Sequence, residues 1–146
     1  MKDPGVLKTV RQSDEKGCGV ACVAMLTGVS YAEAREVIYP SGRLRLTRTK
    51  DLAVALKVLG RKPLSERRRG FGLTTVNELE TDALVFVELI QDSGNFKHWM
   101  VWDAQAKKLR DPDGRKLPYR LRGYLAVEGM TALPGPISLN PSDAGS

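Results

Sequence analysis

The stretch of sequence that decides the fold is residues 12–22, which read Gln12-Ser13-Asp14-Glu15-Lys16-Gly17-Cys18-Gly19-Val20-Ala21-Cys22. From Cys18 to residue 26 the side chains are small and apolar, which predicts a short buried helix that begins at the cysteine. A helix start favours a thiolate because its free backbone amides and its dipole attract negative charge. Gly17 and Gly19 flank the thiol, and we expect them to leave room for a substrate carbonyl.

Two more helices are predicted in the first half of the chain. The second begins at a capping box of Ser30 and Glu33 and must end at Pro40, which cannot continue a helix. We expect a third helix between a cap at Thr49 and a C-terminal glycine at Gly60. Its apolar side chains recur at the i, i+3, i+4, i+7 spacing of one helix face, at Leu52, Ala55, Leu56 and Leu59.

The second half of the chain indicates strands. Residues 83–90 form an almost continuous apolar run rich in β-branched and aromatic side chains, which is typical of a buried strand. Further strands are predicted over residues 96–102, 107–111 and 119–127. We therefore expect an α+β fold, with N-terminal helices followed by an antiparallel β-sheet, in one domain over residues 1–132. Residues 133–146 are rich in Pro, Gly and polar residues, and we expect a flexible C-terminal tail there.

Composition narrows the class of protein. No stretch approaches the roughly eighteen consecutive apolar residues of a membrane span, and the N-terminus lacks the apolar region of a secretory signal. We expect a cytoplasmic protein, with non-classical export left open. Cys18 and Cys22 lie too far apart on a helix for a disulfide, and together with one histidine they are too few for structural zinc. We expect no metal and no cofactor.

The net charge of +6 allows an anionic partner, and the densest basic stretch is residues 61–70. This stretch holds no aromatic side chain that could stack on a nucleic-acid base, and the first one, Phe71, lies just beyond it. We interpret the stretch as a solvated basic loop, so nucleic acid is not the favoured partner. A substrate with acidic segments is the intermediate alternative.

The only histidine of the chain, His98, lies in the second predicted strand, and Asp111 lies in the third. A four-residue loop between these strands places Trp102 opposite Lys107 and His98 opposite Asp111. Facing residues have Cβ atoms about 4.5–5.5 Å apart, so the carboxylate can orient the imidazole. We therefore expect Cys18, His98 and Asp111 to form the nucleophile, base and orienting carboxylate of an acyl-transfer site.

Gln12 and Cys22 are the remaining residues of interest near the N-terminus. The Gln12 side chain can donate an N–H to an oxyanion, with the backbone N–H of Cys18 as a second donor. Cys22 lies one helical turn beyond the nucleophile, and we expect it to pack in the core. Each residue also has an ordinary structural interpretation, but their order along one chain favours the catalytic one.

Three stretches resemble the bacteriocin-processing, double-glycine peptidases of the papain-like superfamily: residues 12–26, His-Trp-Met-Val-Trp at 98–102 and Arg-Asp-Pro at 110–112. The resemblance covers residues 12–112 and implies a papain-like cysteine proteinase fold in a stand-alone thiol protease. It implies that Cys18 is the nucleophile, His98 the general base and acid, and Asp111 the orienting carboxylate. Gln12 is then the oxyanion donor. A peptide or protein substrate is also implied.

The chain departs from that family at Gly17, where an acidic residue usually precedes the nucleophile. We find neither a membrane span nor a P-loop in the sequence, so cleavage after a double glycine does not follow. The site residues do not separate hydrolysis from deamidation or transglutamination. The alternatives are a catalytically inactive papain-like protein that binds peptides, and a small basic nucleic-acid-binding protein whose affinity falls steeply with salt. Substrate, need for a partner and oligomeric state stay open.

Overall fold

The computed structural model of the chain describes residues 7–13, 16–42, 47–114 and 117–129. Within these ranges it has three α-helices followed by a four-stranded antiparallel sheet, which confirms the α+β class. The elements are α1 Cys18–Thr27, α2 Tyr31–Ile38, α3 Thr49–Val58, β1 Ala83–Leu89, β2 Phe96–Asp103, β3 Lys108–Arg110 and β4 Tyr119–Ala126, with a 3₁₀ helix at Val76–Glu78. The predicted tail, residues 133–146, lies outside the described residues.

Helix α1 is buried along most of its length because its side chains are small and apolar. It packs on α2, α3 and β2 and so forms the centre of the domain. Gly19 permits the close approach of α3, since a Cβ at that position would lie 2.5 Å from Oγ1 of Thr47 and 3.0 Å from Cδ2 of Leu52. The expectation that Gly19 leaves room for a substrate carbonyl is therefore wrong, because these side chains fill that space.

The other two helices begin with different caps. The capping box of α2 is confirmed: Ser30 Oγ accepts the backbone N–H of Glu33 at 3.0 Å, and the Ser30 N–H donates to Glu33 Oε1 at 3.1 Å. Thr49 is not the cap of α3 but its first helical residue. Arg48 precedes it, and its backbone N–H donates to Oδ2 of Asp51 at 2.9 Å.

The sheet has the strand order β3-β2-β1-β4, so β2 and β1 lie in its middle. One face packs on the helices and includes Trp99 and Val101, while the opposite face includes Met100 and Trp102. Between β2 and β3, Trp102 pairs with Leu109 instead of Lys107. The predicted register is therefore off by two residues, because the connecting loop is residues 104–107 and not 103–106.

We call residues 61–70 the basic segment, and the structure places its backbone along the outer edge of β4. Pro63 forms a bridge with Val127, and Arg69 forms one with Tyr124. Arg61 is only 3% exposed, because it reaches into the core. The interpretation of the whole segment as a solvated loop is therefore wrong, although the side chains of residues 66–69 are exposed.

Candidate active site

The thiol of Cys18 lies at the start of α1, as the sequence predicts. Gly17 is the N-cap residue, with φ −97° and ψ 11°, and no side chain caps this helix. The first turn also contains no acidic residue. No capping side chain accepts hydrogen bonds from the backbone N–H groups of this turn. These groups therefore make a favourable environment for negative charge.

His98 lies near the start of β2 and faces Val87 of β1. Its side chain is buried, at 3% exposure. The ring atom Nε2 lies 2.8 Å from Oδ1 of Asp111, and Cys18 lies close enough to the ring to raise the pKa of His98. Since Asp111 occupies Nε2, the nitrogen that remains for Cys18 is Nδ1.

Asp111 follows directly after β3, and its position relative to His98 differs from the prediction. The pair Val101–Arg110 is the end of the β2–β3 ladder, so one further step places Asp111 beside Met100. His98 and Asp111 are therefore diagonal neighbours and not a facing pair. A register shift of two residues keeps a side chain on the same face of the sheet, and diagonal neighbours remain within reach of long side chains. The predicted hydrogen bond forms despite the wrong register.

The pKa of His98 reflects opposing effects. Burial lowers this pKa, but hydrogen bonds to Asp111 and Cys18 and the negative charges of both groups outweigh burial. The pKa of His98 rises from 6.5 to about 9. The imidazole is therefore protonated at neutral pH and presents a positive charge beside the thiol, which is the setting in which a cysteine attacks as thiolate.

The pKa of Asp111 is shifted in the opposite direction. Burial raises it, but the hydrogen bond with His98 and a bond from the backbone N–H of Asp113 to Oδ1, at 2.8 Å, bring the pKa below its ordinary value of 3.8. The positive charges of His98 and Arg11 act in the same direction. Arg11 and Asp113 were not among the sequence predictions. An Asp-Pro-Asp stretch does signal a turn of this kind, whereas nothing in the sequence signals the role of Arg11.

Gln12 is half-buried and lies beside the turn that carries Asp111. Its backbone N–H donates to the carbonyl oxygen of Pro112 at 3.0 Å. A second hydrogen bond joins the N-terminal residues to the end of β3: Arg110 Nη1 donates to Oγ1 of Thr9 at 2.9 Å. The structure thus brings Gln12 to the Asp111 turn, while the donation of its side chain to an oxyanion stays a prediction.

Cys22 is fully buried one turn beyond Cys18. Burial raises the pKa of its thiol well above the ordinary value, and the negative charges of Cys18 and Asp111 add to this effect. Both cysteines are free thiols. A buried neutral thiol packs as a small apolar side chain, so Cys22 belongs to the core, as the sequence analysis expected.

Three further observations bear on the function. In the described ranges, no group of three or more His, Cys, Asp and Glu side chains is arranged to hold a metal ion. No helix in this part of the chain is long and apolar enough to cross a membrane. Comparison with models of known protein families and with curated protein sequences yields no match. The functional interpretation rests on the geometry of the site.

Proposed function

We propose that this protein is a papain-like cysteine peptidase that hydrolyses an amide bond in a peptide or protein. One observation carries the proposal: a single buried imidazole contacts a carboxylate through Nε2, at 2.8 Å, and lies close enough to a thiol for the two groups to interact. This set of contacts is what a cysteine nucleophile, a general base and an orienting carboxylate require. The thiol comes from a helix and the imidazole from the sheet on which that helix packs, which supports a papain-like arrangement.

The proposed reaction starts from the protonated imidazole of His98. Cys18 attacks the carbonyl carbon as thiolate, and His98 gives its proton to the nitrogen of the leaving amine as the C–N bond breaks. The product of this step is a thioester with Cys18. His98, now neutral, takes a proton from the attacking water, and the C–S bond breaks to release the acid and restore the ion pair. Asp111 keeps the ring oriented and stabilises its positive charge in both steps.

The tetrahedral intermediates carry a negative oxygen that needs hydrogen-bond donors. We assign this role to the backbone N–H of Cys18 and the side-chain N–H of Gln12. The uncapped start of α1 supports the first assignment, and the hydrogen bond of Gln12 to Pro112 beside Asp111 supports the second. A preorganised donor of this kind contributes on the order of 10²–10³ in kcat.

The same thioester can also form in deamidation or transglutamination. Both of these reactions attack a side-chain amide, and transglutamination transfers the acyl group to an amine instead of water. The mass of the products separates these reactions. The cytoplasm as the place of action stays a prediction.

The proposal is tested by labelling with a panel of electrophilic peptides and with iodoacetamide at neutral pH, read by intact mass. We expect a single adduct on Cys18, formed much faster than on glutathione. Cys18→Ala should abolish the adduct, and Cys22→Ala, the matched control in the same helix, should keep it. If Cys18 reacts no faster than glutathione, the protein is not a cysteine peptidase. Equal binding of a peptide by wild type and Cys18→Ala, with no product from either, would instead support an inactive peptide-binding protein.

A further inference from the structure

A basic cavity lies near the start of α1, where one of its lining residues, Thr47, packs against Gly19. It has a volume of about 520 Å³ and lies between the start of α3, the basic segment and the helix-facing side of the sheet. Its lining includes one acidic side chain and four basic ones, at Glu66, Arg48, Lys50, Arg67 and Arg68. The cavity therefore carries a net positive charge.

Two residues connect this cavity to the reacting groups. Thr47 lines the cavity, and its Oγ1 atom fills the space beside Gly19, the residue after Cys18. Trp99 also lines the cavity and directly follows His98 in β2, so the backbone of β2 runs from the cavity to His98, although the two side chains lie on opposite faces of the strand. An extended peptide advances about 3.3 Å per residue, so side chains near the bond that Cys18 attacks come within reach of the cavity.

Arg68 is fixed within the cavity by its packing. Its guanidinium carbon lies 4.0 Å from the centre of the Phe86 ring, which in turn lies 4.8 Å from the Trp99 ring. Gly123 pairs with Phe86 across β1 and β4. A Cβ on Gly123 would lie 3.1 Å from the carbonyl oxygen of Arg69. The lack of a side chain at position 123 therefore lets the basic segment run close to β4, beside the point where Arg68 reaches Phe86.

The backbone beneath these arginines is also held in place. The N–H of Arg69 donates to the carbonyl of Tyr124 at 2.8 Å, and the N–H of Tyr124 donates back at 2.9 Å. A guanidinium that is already positioned loses less conformational freedom when it binds a partner, and its planar shape matches a carboxylate in a two-point contact. Arg48 contributes less positive potential, because Asp51 lies 3.8 Å from it.

The aromatic side chains of the cavity argue against a nucleic-acid partner. Binding of single strands relies on ring faces that stack on bases. Here the guanidinium of Arg68 covers a face of Phe86, and Trp99 is only 3% exposed. The cavity thus offers cations rather than stacking surfaces.

We propose that this cavity binds acidic side chains, Asp or Glu, of a peptide substrate close to the bond that Cys18 attacks. This inference rests on the proposed peptidase function and specifies its substrate class. Arg67 and Arg68 are the principal contacts. They determine specificity and take no part in the chemical steps.

The test uses pairs of electrophilic peptides that differ only in Glu or Gln at one position. C-terminal chloromethyl ketones and N-terminal chloroacetyl groups together sample both sides of the reactive carbon. We expect the Glu peptide to label Cys18 about tenfold faster at one position or more, because two cations, one of them held against Phe86, meet one carboxylate. The preference should shrink between about 50 and 500 mM NaCl. Arg67→Gln/Arg68→Gln should reduce it to roughly twofold or less, while Arg122→Gln, an exposed arginine outside the cavity, should keep it.

Equal rates for Glu and Gln peptides in wild type, or a preference that survives the double substitution, overturn the cavity proposal. Iodoacetamide, a small neutral reagent, reports on Cys18 independently, so failure of the nucleophile is distinguishable. In that case, the same peptides are prepared without the electrophile, and their binding to Cys18→Ala is measured by fluorescence anisotropy. This measurement tests the cavity independently of the nucleophile. If the double variant does not fold, two other results test the proposal: the loss of the Glu preference with added salt in wild type, and its loss in the single variant Arg68→Gln. A single-stranded oligonucleotide that binds through Arg67 and Arg68, without any Glu preference, would assign the cavity to nucleic acid.

Discussion

The Nε2 atom of His98 lies 2.8 Å from Oδ1 of Asp111, across a diagonal between β2 and the residue that follows β3. Both partners are fixed by further contacts. The backbone of His98 is paired with Val87 in β1, and Oδ1 of Asp111 accepts the N–H of Asp113. The ring is therefore held from the sheet side, and the thiol of Cys18 approaches it from α1. The geometry of the site depends on how that helix is seated on the sheet.

Replacing Asp111 by Asn should lower the pKa of His98. The amide oxygen can still accept a hydrogen bond from Nε2, but the negative charge is lost. A hydrogen bond to a charged group contributes about 1.5–3 kcal/mol, so we expect a decrease of roughly one to two pH units from the wild-type value of about 9. His98 is the only histidine, so its imidazole signal in a proton NMR titration needs no assignment. Asp92→Asn, in the exposed turn after β1, serves as the control. An unchanged titration in Asp111→Asn would show that the contact has no electrostatic effect on the ring.

The stability of the protein should decrease as the pH rises from about 6.5 to 9. The folded pKa of His98 lies above the unfolded value, so the folded state binds the proton more tightly. This contribution is fully present below the unfolded pKa of 6.5 and is lost as the pH rises through about 9. This difference between the folded and unfolded pKa of His98 contributes on the order of 3 kcal/mol to the free energy of unfolding. Urea denaturation at the two ends of this range measures it, and His98→Gln should show a much flatter pH dependence over the same range.

Most features of the fold that depend on local sequence were predicted correctly, although the cap of α3 is Arg48 and not Thr49. The capping box of Ser30 and Glu33 fixes the start of α2, because both partners lie within one turn. The glycine after α3 has a φ of 97°, which favours glycine at Gly60. The apolar run of β1 was recognisable because the strand is buried on both faces of the sheet.

The parts that tertiary contacts determine were not predictable from local patterns. The register of β2 and β3 depends on a loop whose start differs by one residue from the expected one, so the facing pair was wrong by two. The burial of Arg61 depends on acceptors far along the chain, at Leu26, Asp82 and Glu128. The convergence of Cys18 and His98 could be proposed only from their order and from resemblance, since residue spacing does not determine how a helix packs on a sheet.

The buried ion pair of Arg61 and Asp82 should contribute strongly to stability. Arg61 Nη2 donates to Oδ2 of Asp82 at 2.8 Å, and Nη1 donates to the carbonyl of Leu26 near the end of α1 at 2.7 Å. Asp82→Ala leaves a buried guanidinium without its carboxylate and also removes the acceptor of the Ala104 N–H. Removal of one partner of a buried pair costs about 3–5 kcal/mol.

Urea denaturation of Asp82→Ala measures this cost, with Arg120→Ala as the comparison. Arg120 lies 3.9 Å from Glu88, but its side chain is 63% exposed, and exposed pairs contribute about 0–1 kcal/mol. Because Arg61 ties the end of α1 to the sheet, the Asp82 variant should also label more slowly at Cys18. A loss of less than about 1 kcal/mol in Asp82→Ala would mean that water replaces the carboxylate without cost.

Replacing Gly19 by Ala should destabilise the protein even though Ala is the better helix former. The exchange gains about 1 kcal/mol in helix propensity. Against this gain, the new Cβ would lie 2.5 Å from Oγ1 of Thr47 and 3.0 Å from a methyl carbon of the fully buried Leu52. Overpacking of this kind costs about 1–3 kcal/mol and shifts the packed elements. The cost of overpacking should exceed the gain in helix propensity, because Leu52 is enclosed by the core and cannot move aside.

The expected result is a net loss of up to about 2 kcal/mol in urea denaturation, together with slower labelling of Cys18 by iodoacetamide. The labelling rate responds because α1 must move away from α3, and the neighbouring thiol moves with it relative to His98. Gly70→Ala is the matched control: nothing lies within 4 Å of its Cβ position, so stability and labelling should both stay at the wild-type level. Unchanged stability in Gly19→Ala would show that Thr47 and Leu52 rearrange freely, and the close contact of α1 and α3 would then not determine where the thiol lies.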